Sequence, residues 1–215
     1  MPKQEPGTRI ACPLPYELYA DGKIEEAGDF FSIRVGANNK LFGKQSAGAP
    51  FYVYAYKDRD VEIRNYAVIA GDHLTDKWAL DDFKDGIYHF CVHGPNGFFR
   101  EFKGKRGGKP VTVLCNYVRH ATKTAKLSGN IKVVINTGDA SISQIDITDQ
   151  YQKRVINKKK TANKDVQFII GTTDTHGWYD FIIRVGKNDY SEWRFAGRLE
   201  TGEWTRTDPA MGNLK

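Results

Sequence analysis

Apolar side chains recur at every second position along most of this chain, and that is the period of a half-buried β-strand. In Phe31-Ser-Ile33-Arg-Val35 and Val111-Thr-Val113-Leu-Cys115-Asn-Tyr117 the apolar residues fall on alternate positions. Comparable runs at 51–56, 62–69, 87–92, 131–135, 166–170, 178–185 and 190–195 are rich in Val, Ile, Tyr and Phe, and Gly, Asn, Asp or Lys clusters separate them. No window carries three turns of an amphipathic helix; Asp72 to Leu80 could form a short one at most. Many short strands, with turn signals about every 8–12 residues, predict an all-β chain built as an antiparallel sandwich or barrel.

The pattern also repeats. Gly86-Ile-Tyr88-His-Phe90-Cys-Val92 aligns with Gly177-Trp-Tyr179-Asp-Phe181-Ile-Ile183, and Arg100-Glu-Phe102-Lys-Gly104 with Trp193-Arg-Phe195-Ala-Gly197. The offset grows from 91 to 93 between the two matches, so the turn in the second copy is two residues longer. Upstream, 29–35 takes the place of 130–135, and 51–56 that of 142–148. Gly107-Gly-Lys-Pro110 has the composition of a linker. Two tandem immunoglobulin-like β-sandwich domains are therefore expected, at 13–107 and 108–203. Residues 1–12 form a leading linker and 204–215 a tail. The first copy also contains an explicit hairpin: Tyr88 to Val92, then His93-Gly94-Pro95-Asn96-Gly97, then a strand from Phe98. Pro95 suits the second position of a turn, and Asn96-Gly97 supply positive φ at low cost.

The charge of +6 has one source. Residues 1–107 hold 15 basic and 15 acidic side chains, and residues 108–215 hold 17 and 11. Six bases without an acid, Lys153, Arg154, Lys158, Lys159, Lys160 and Lys164, occupy one stretch of the second copy, whereas its counterpart at 57–65 is charge-balanced. Three readings are open for this stretch: a solvated hairpin whose lysines discourage edge-to-edge pairing, adhesion to an anionic lipid surface, or contact with an acidic partner. Nucleic acid fits poorly. The aromatic–basic alternation of 98–106 is what a half-buried strand needs anyway, and it lies in the neutral copy.

Catalytic signatures are missing: the sequence has no GxSxG, P-loop, GxGxxG or HExxH. His89, Cys91 and His93 share a strand face, but His89 and His93 are about 13 Å apart, so one ion could reach two of them at best and no metal or other cofactor is predicted. Cys12, Cys91 and Cys115 form no CxxC pair, and their odd number leaves at least one thiol unpaired. Glu25-Glu26 and Asp81-Asp82 read as solvated loop carboxylates. Tyr52, Tyr54 and Tyr56 line one face of a strand opposite Phe51, Val53 and Ala55, so they are either covered by loops or offer a surface to lipid, sugar or another domain. No apolar run reaches the ~20 residues of a membrane-spanning helix. Met1 to Gly7 lacks the apolar core of a secretory signal, which leaves a cytoplasmic protein or a piece of a longer one.

The hairpin carries more than architecture. Asp85-Gly-Ile-Tyr88-His-Phe-Cys-Val-His-Gly94-Pro-Asn-Gly-Phe98-Phe-Arg-Glu-Phe-Lys-Gly104 closely resembles the C-terminal region of bacterial phosphocholine-specific phospholipases C. The second copy, with Glu200-Thr-Gly202 and Asp208-Pro-Ala-Met-Gly212, is similar to the ending of those proteins. The leader Gln4 to Arg9, with Pro13-Leu-Pro-Tyr-Glu17, is similar to their approach to the first repeat. His89 and Cys91 depart from the acidic and aliphatic residues usual there.

The resemblance implies a pair of C-terminal β-sandwich repeats. In the family, catalysis belongs to a large N-terminal domain that cleaves phosphatidylcholine or sphingomyelin and releases phosphocholine. None of that domain's motifs is in this sequence, so no catalytic residue is carried over. The implied role is a non-catalytic accessory module that packs on the catalytic domain and assists engagement of a phospholipid surface, in a periplasmic or secreted protein. The basic stretch and Tyr52, Tyr54 and Tyr56 are the candidate contacts; Gly94, Pro95, Asn96, Gly97 and Phe98 are the structural hairpin. The rival is a carbohydrate- or partner-binding module, for which Trp178, Tyr179 or Trp193 would have to form a planar row.

Overall fold

The structure, a computed structural model, describes residues 6–108, 111–123, 126–138, 144–159, 165–186 and 191–211. Among them are sixteen strands, a few single-turn 3-10 segments and no α-helix. The first half contributes β2 (Leu18–Ile24), β3 (Phe30–Ala37), β4 (Ala49–Lys57), β5 (Asp60–Val68), β6 (Asp72–Ala79), β7 (Ile87–His93) and β8 (Phe99–Lys105). The second contributes β9 (Thr112–Arg119), β10 (Leu127–Asn136), β11 (Gln144–Asp149), β12 (Arg154–Lys159), β13 (Val166–Gly171), β14 (Trp178–Val185) and β15 (Ser191–Arg198). Short β1 (Ile10–Ala11) and β16 (Thr205–Arg206) pair with each other, so the start and end of the described chain are joined as a ribbon.

The two halves have one connectivity. The order β2-β3-β6 recurs as β9-β10-β13, and β5-β4-β7-β8 recurs as β12-β11-β14-β15. All pairs are antiparallel, as short connections allow. The four-stranded units are continuous: β8 pairs with β15, giving one eight-stranded sheet, β12-β11-β14-β15-β8-β7-β4-β5. The repeat has a local steric reason in the pairs Tyr88–Gly104 and Tyr179–Gly197, which lie opposite each other in equivalent positions. A Cβ on Gly104 would sit 2.3 Å from the Tyr88 hydroxyl, and one on Gly197 3.1 Å from that of Tyr179, so each ring needs its glycine.

Side chains alternate cleanly across the large sheet. Phe51, Val53 and Ala55 of β4, Tyr88, Phe90 and Val92 of β7, Phe102 of β8, Trp193 and Phe195 of β15, and Phe181 and Ile183 of β14 all point inward and are buried. Each of the Val, Ile and Phe side chains contributes roughly 1.5–3 kcal/mol by leaving water. Phe31 of β3 shows how the smaller sheet closes over them: its ring lies 4.8 Å from Tyr88, 4.8 Å from Phe90 and 5.7 Å from Phe102. Buried residues of both halves form one cluster.

Residues 72–79 differ from expectation, being strand β6 followed by a 3-10 turn at Leu80–Asp82 rather than a short helix. As the outer strand of β2-β3-β6 it buries mainly Trp78 and is otherwise exposed, so the alternation that marks a strand is absent from its sequence. Pairing with β3 along its whole length decides its form.

Candidate interaction face

With its inner face in the core, the eight-stranded sheet presents the outer face to solvent, and that face changes character along the strand order. At the first-half end, β4 turns Tyr52, Tyr54 and Tyr56 outward, and Val61 and Ile63 of β5 lie beside them. Tyr52 is 44% and Tyr56 41% exposed, and Ile63 53%. The rings are organised: Tyr54 meets His93 edge-on at 5.4 Å, His93 packs on Phe99 at 4.9 Å, and Tyr56 stacks on His89 at 4.6 Å. Burial among these rings lowers the pKa of His93.

Toward the second half the same face becomes ionic. Arg194 holds Asp180 with two hydrogen bonds of 2.8 and 2.6 Å, and His89 Nε2 donates to Glu101 Oε1 at 2.8 Å. Lys103 bridges Glu101 at 2.7 Å and Glu192 at 3.3 Å, and Arg184 reaches Glu192 at 2.6 Å. Burial alone would raise the Glu101 pKa, but the hydrogen bonds from His89 and Lys103 outweigh it and hold the carboxyl at about 2. By the repeat alignment His89 matches Asp180 and Glu101 matches Arg194. The two halves thus place a hydrogen-bonded pair at one site with the strands of donor and acceptor exchanged.

The basic stretch lies at the far edge of this sheet. Lys153, with φ of 52°, ends the turn into β12 and is exposed, as is Arg154. Lys158 lies opposite Ile145 and Lys159 opposite Gln144 in the ladder with β11. Lys160 and Lys164 lie outside the described residues. Six strand spacings separate β12 from β4, about 29 Å, so lysines and tyrosines share a sheet but do not form one patch.

The turn Gly94 to Phe98 connects β7 and β8. Gly94 N–H donates to Phe98 O at 2.9 Å and Phe98 N–H to Pro95 O at 3.2 Å, while Asn96 (φ 56°) and Gly97 (φ 73°) take the left-handed region. The Asn96 side-chain amide then donates to Glu200 Oε1 at 2.6 Å. Glu200 also accepts from Leu14 N–H at 3.3 Å and lies 3.5 Å from Arg198 Nε. One buried carboxylate therefore ties the leading segment, the first-half hairpin and the end of β15 together. A cavity of about 720 Å³ adjoins it, bounded by Cys12, Leu14, Asn96, Trp178, Arg198 and Asp208. Sequence reasoning found the Glu200 motif only as a resemblance; nothing local marks it as the tie between segments far apart in the chain.

Trp193 and Tyr179 are both buried, and Trp178 Nε1 donates to Arg206 O, so these three form no planar sugar-binding row. Spacing along β7 alone does not describe the surroundings of His89 and Cys91, because β8 lies beside them. Glu101 stands opposite Cys91 in the β7–β8 ladder, and the ligand atoms of His89, Cys91 and Glu101 all lie within 4.8 Å of one another. Among the described residues, no helix is long and apolar enough to cross a membrane.

Residues 10–105 match the family "Bacterial phospholipase C, C-terminal domain". The chain is 32% identical over 216 residues to the non-hemolytic phospholipase C of Pseudomonas aeruginosa, covering 99% of this chain and 30% of that protein. It is 31% identical over 220 residues to the non-hemolytic phospholipase C of Burkholderia pseudomallei, covering 98% and 29% respectively, and 26% identical over 228 residues to the hemolytic phospholipase C of P. aeruginosa, covering 98% and 30%. The chain thus spans about 30% of the length of these relatives. The family match falls on the first set of strands, while the pairwise matches run through both; the chain belongs to the C-terminal region of the bacterial phospholipases C.

Proposed function

We propose that this chain is a non-catalytic accessory module of a phospholipase C that hydrolyses phosphatidylcholine or sphingomyelin to release phosphocholine, acting in the periplasm or outside the cell. The observation that carries this reading is the aromatic end of the outer sheet face. Tyr52, Tyr56, Val61 and Ile63 stay exposed beside one another on a sheet whose opposite face is fully packed, and a contiguous apolar surface of this kind is a contact surface. The relatives are more than three times as long as this chain, and the catalytic domain is the partner that covers this end. The basic edge at β12, about 29 Å away, remains free to face anionic phospholipid, where each base near the surface contributes about 1 kcal/mol. In this reading 13–107 and 108–203 are two sandwich domains that share one sheet, a rigid spacer between catalytic domain and lipid.

Phosphocholine release from phosphatidylcholine vesicles by the isolated chain tests the first part. No release above background is expected, and turnover by the pure chain would refute it. Co-sedimentation with anionic vesicles at low and high salt tests the second: binding that weakens with salt is expected, and no binding at either salt leaves only the packing role.

A further inference from the structure

The outer face of the β7–β8 hairpin carries a second kind of chemistry. His89 and Cys91 project from β7 and Glu101 from β8. His89 Nε2 lies 2.8 Å from Glu101 Oε1 and 3.5 Å from Cys91 Sγ, and Cys91 Sγ lies 3.9 Å from the same Glu101 oxygen. A carboxylate, a thiol and an imidazole arranged for nucleophilic catalysis would use opposite ring nitrogens, one facing the thiol and the other the acid. Here both groups face the same nitrogen, so three donor atoms converge on one point. Bonds of 2.0–2.3 Å in a tetrahedron give donor–donor edges of about 3.3–3.8 Å, and the three separations straddle that range. The set mixes nitrogen, sulfur and carboxylate oxygen, a combination suited to zinc and unsuited to magnesium or calcium.

We propose that His89, Cys91 and Glu101 form a binding site for a zinc-like divalent cation on the outer face of the first-half sheet. The side chain that would compete with the ion for Glu101 has somewhere else to go. Lys103, which bridges Glu101, already contacts Glu192 and can keep that partner. His89 and Glu101 need separate by only about half an ångström to reach the tetrahedral edge. Tyr56, stacked on His89, covers the site from β4. The second half has no such site, because its equivalent positions hold Asp180, Ile182 and Arg194, and Arg194 already neutralises Asp180. The ion would join β7 to β8 beside the aromatic end of the sheet, clamping the hairpin whose turn reaches Glu200.

Cobalt(II) titration of the reduced 215-residue chain, in a Cys12→Ser background that removes the exposed thiol, tests this. One equivalent should bind with a thiolate-to-cobalt charge-transfer band, and zinc should displace it. Cys91→Ser should abolish the band, and His89→Gln and Glu101→Gln should each weaken binding at least as much as the 10–100-fold loss typical of outer-shell changes. Cys115→Ser should change nothing. Circular dichroism verifies that each variant is folded, and His89→Gln, at a partly exposed position, serves if Cys91→Ser does not fold. Absence of the charge-transfer band at saturating cobalt, or its persistence in folded Cys91→Ser or undiminished in folded His89→Gln, overturns the proposal.

Discussion

Glu101 and Arg194 lie directly opposite each other in the β8–β15 ladder, and they are also equivalent residues of the two repeats. Phe102 facing Trp193 and Arg100 facing Phe195 obey the same rule, since Arg100 matches Trp193 and Phe102 matches Phe195. The halves are therefore related by a local two-fold axis that passes between Glu101 and Arg194. In a symmetric dimer a residue on the axis meets its own copy, and either charge there would repel itself. A single chain escapes that constraint. It can place Glu on one side and Arg on the other, and Glu101 in turn helps to keep Arg194 protonated, after the hydrogen bonds of Asp180.

Arg100 is the other departure from symmetry at this seam. Its guanidinium is fully buried, donates to Phe99 O, Ala196 O and Tyr179 OH at 2.8, 2.9 and 3.0 Å, lies 4.0 Å from the Phe98 ring, and leaves Nε without a partner. Among the described residues no carboxylate is hydrogen-bonded to it, so its desolvation is compensated by neutral acceptors, rings and the through-space charge of Asp21. Arg100→Ala should destabilise the chain by about 3–5 kcal/mol through cavity and lost bonds. Arg100→Met, which fills the space without a buried charge, should lose less than half as much. Equal losses in urea denaturation would mean that the charge itself holds the two halves together.

The Asn96–Glu200 bond is a second cross-link between halves, and its donor sits in the left-handed region. Asn96→Gly keeps the backbone and removes a bond to a buried carboxylate, which should cost roughly 1.5–3 kcal/mol. Asn96→Ala should cost about 1–2 kcal/mol more, because alanine pays for positive φ. The ordering Asn, Gly, Ala in urea midpoints is the check; an Ala variant as stable as the Gly variant would remove backbone strain from the account.

Acid should loosen the sheet at Glu101. Its folded pKa of about 2 is below the ordinary 4.5, so the stability it contributes is fully present above about pH 4.5 and is lost as pH falls toward 2. The amount is roughly 1–3 kcal/mol for a carboxylate that is 11% exposed in its side chain. Asp21 and Glu200, whose pKa values burial raises, act in the opposite sense, so total stability mixes the two. The difference between wild type and Glu101→Gln isolates the first: it should be largest at pH 7 and shrink toward zero by pH 2.

Strand periodicity made the all-β class legible, and the Tyr88/Gly104 and Tyr179/Gly197 spacing made the repeat legible, because both are short-range patterns. β6 was not legible, since an outer strand with one buried residue has no apolar alternation to read. The seam was not legible either. Pairing of β8 with β15 joins residues about 90 apart, and nothing in either strand names its partner. The Glu101 neighbour of His89 and Cys91 lies between these cases: the hairpin is plain in the sequence and its register places Glu101 opposite Cys91, but periodicity along one strand says nothing of the side chains beside it.

Thiol reactivity separates the three cysteines. Cys12 is exposed, whereas burial, reinforced by the Glu101 charge, pushes the Cys91 thiol up to about 12, and burial pushes Cys115 to about 12 despite nearby Arg100. Because the thiolate is the nucleophile, each unit of raised pKa removes tenfold of the reactive form at neutral pH. A disulfide reagent added to the native chain at pH 7.5 should therefore modify one thiol quickly and the other two only as fast as the protein opens. Three should react in denaturant, and Cys12→Ser should delete the fast phase alone. A second fast thiol that disappears in Cys91→Ser would place Cys91 in an open, ionised setting and so contradict the packing of the β7–β8 face.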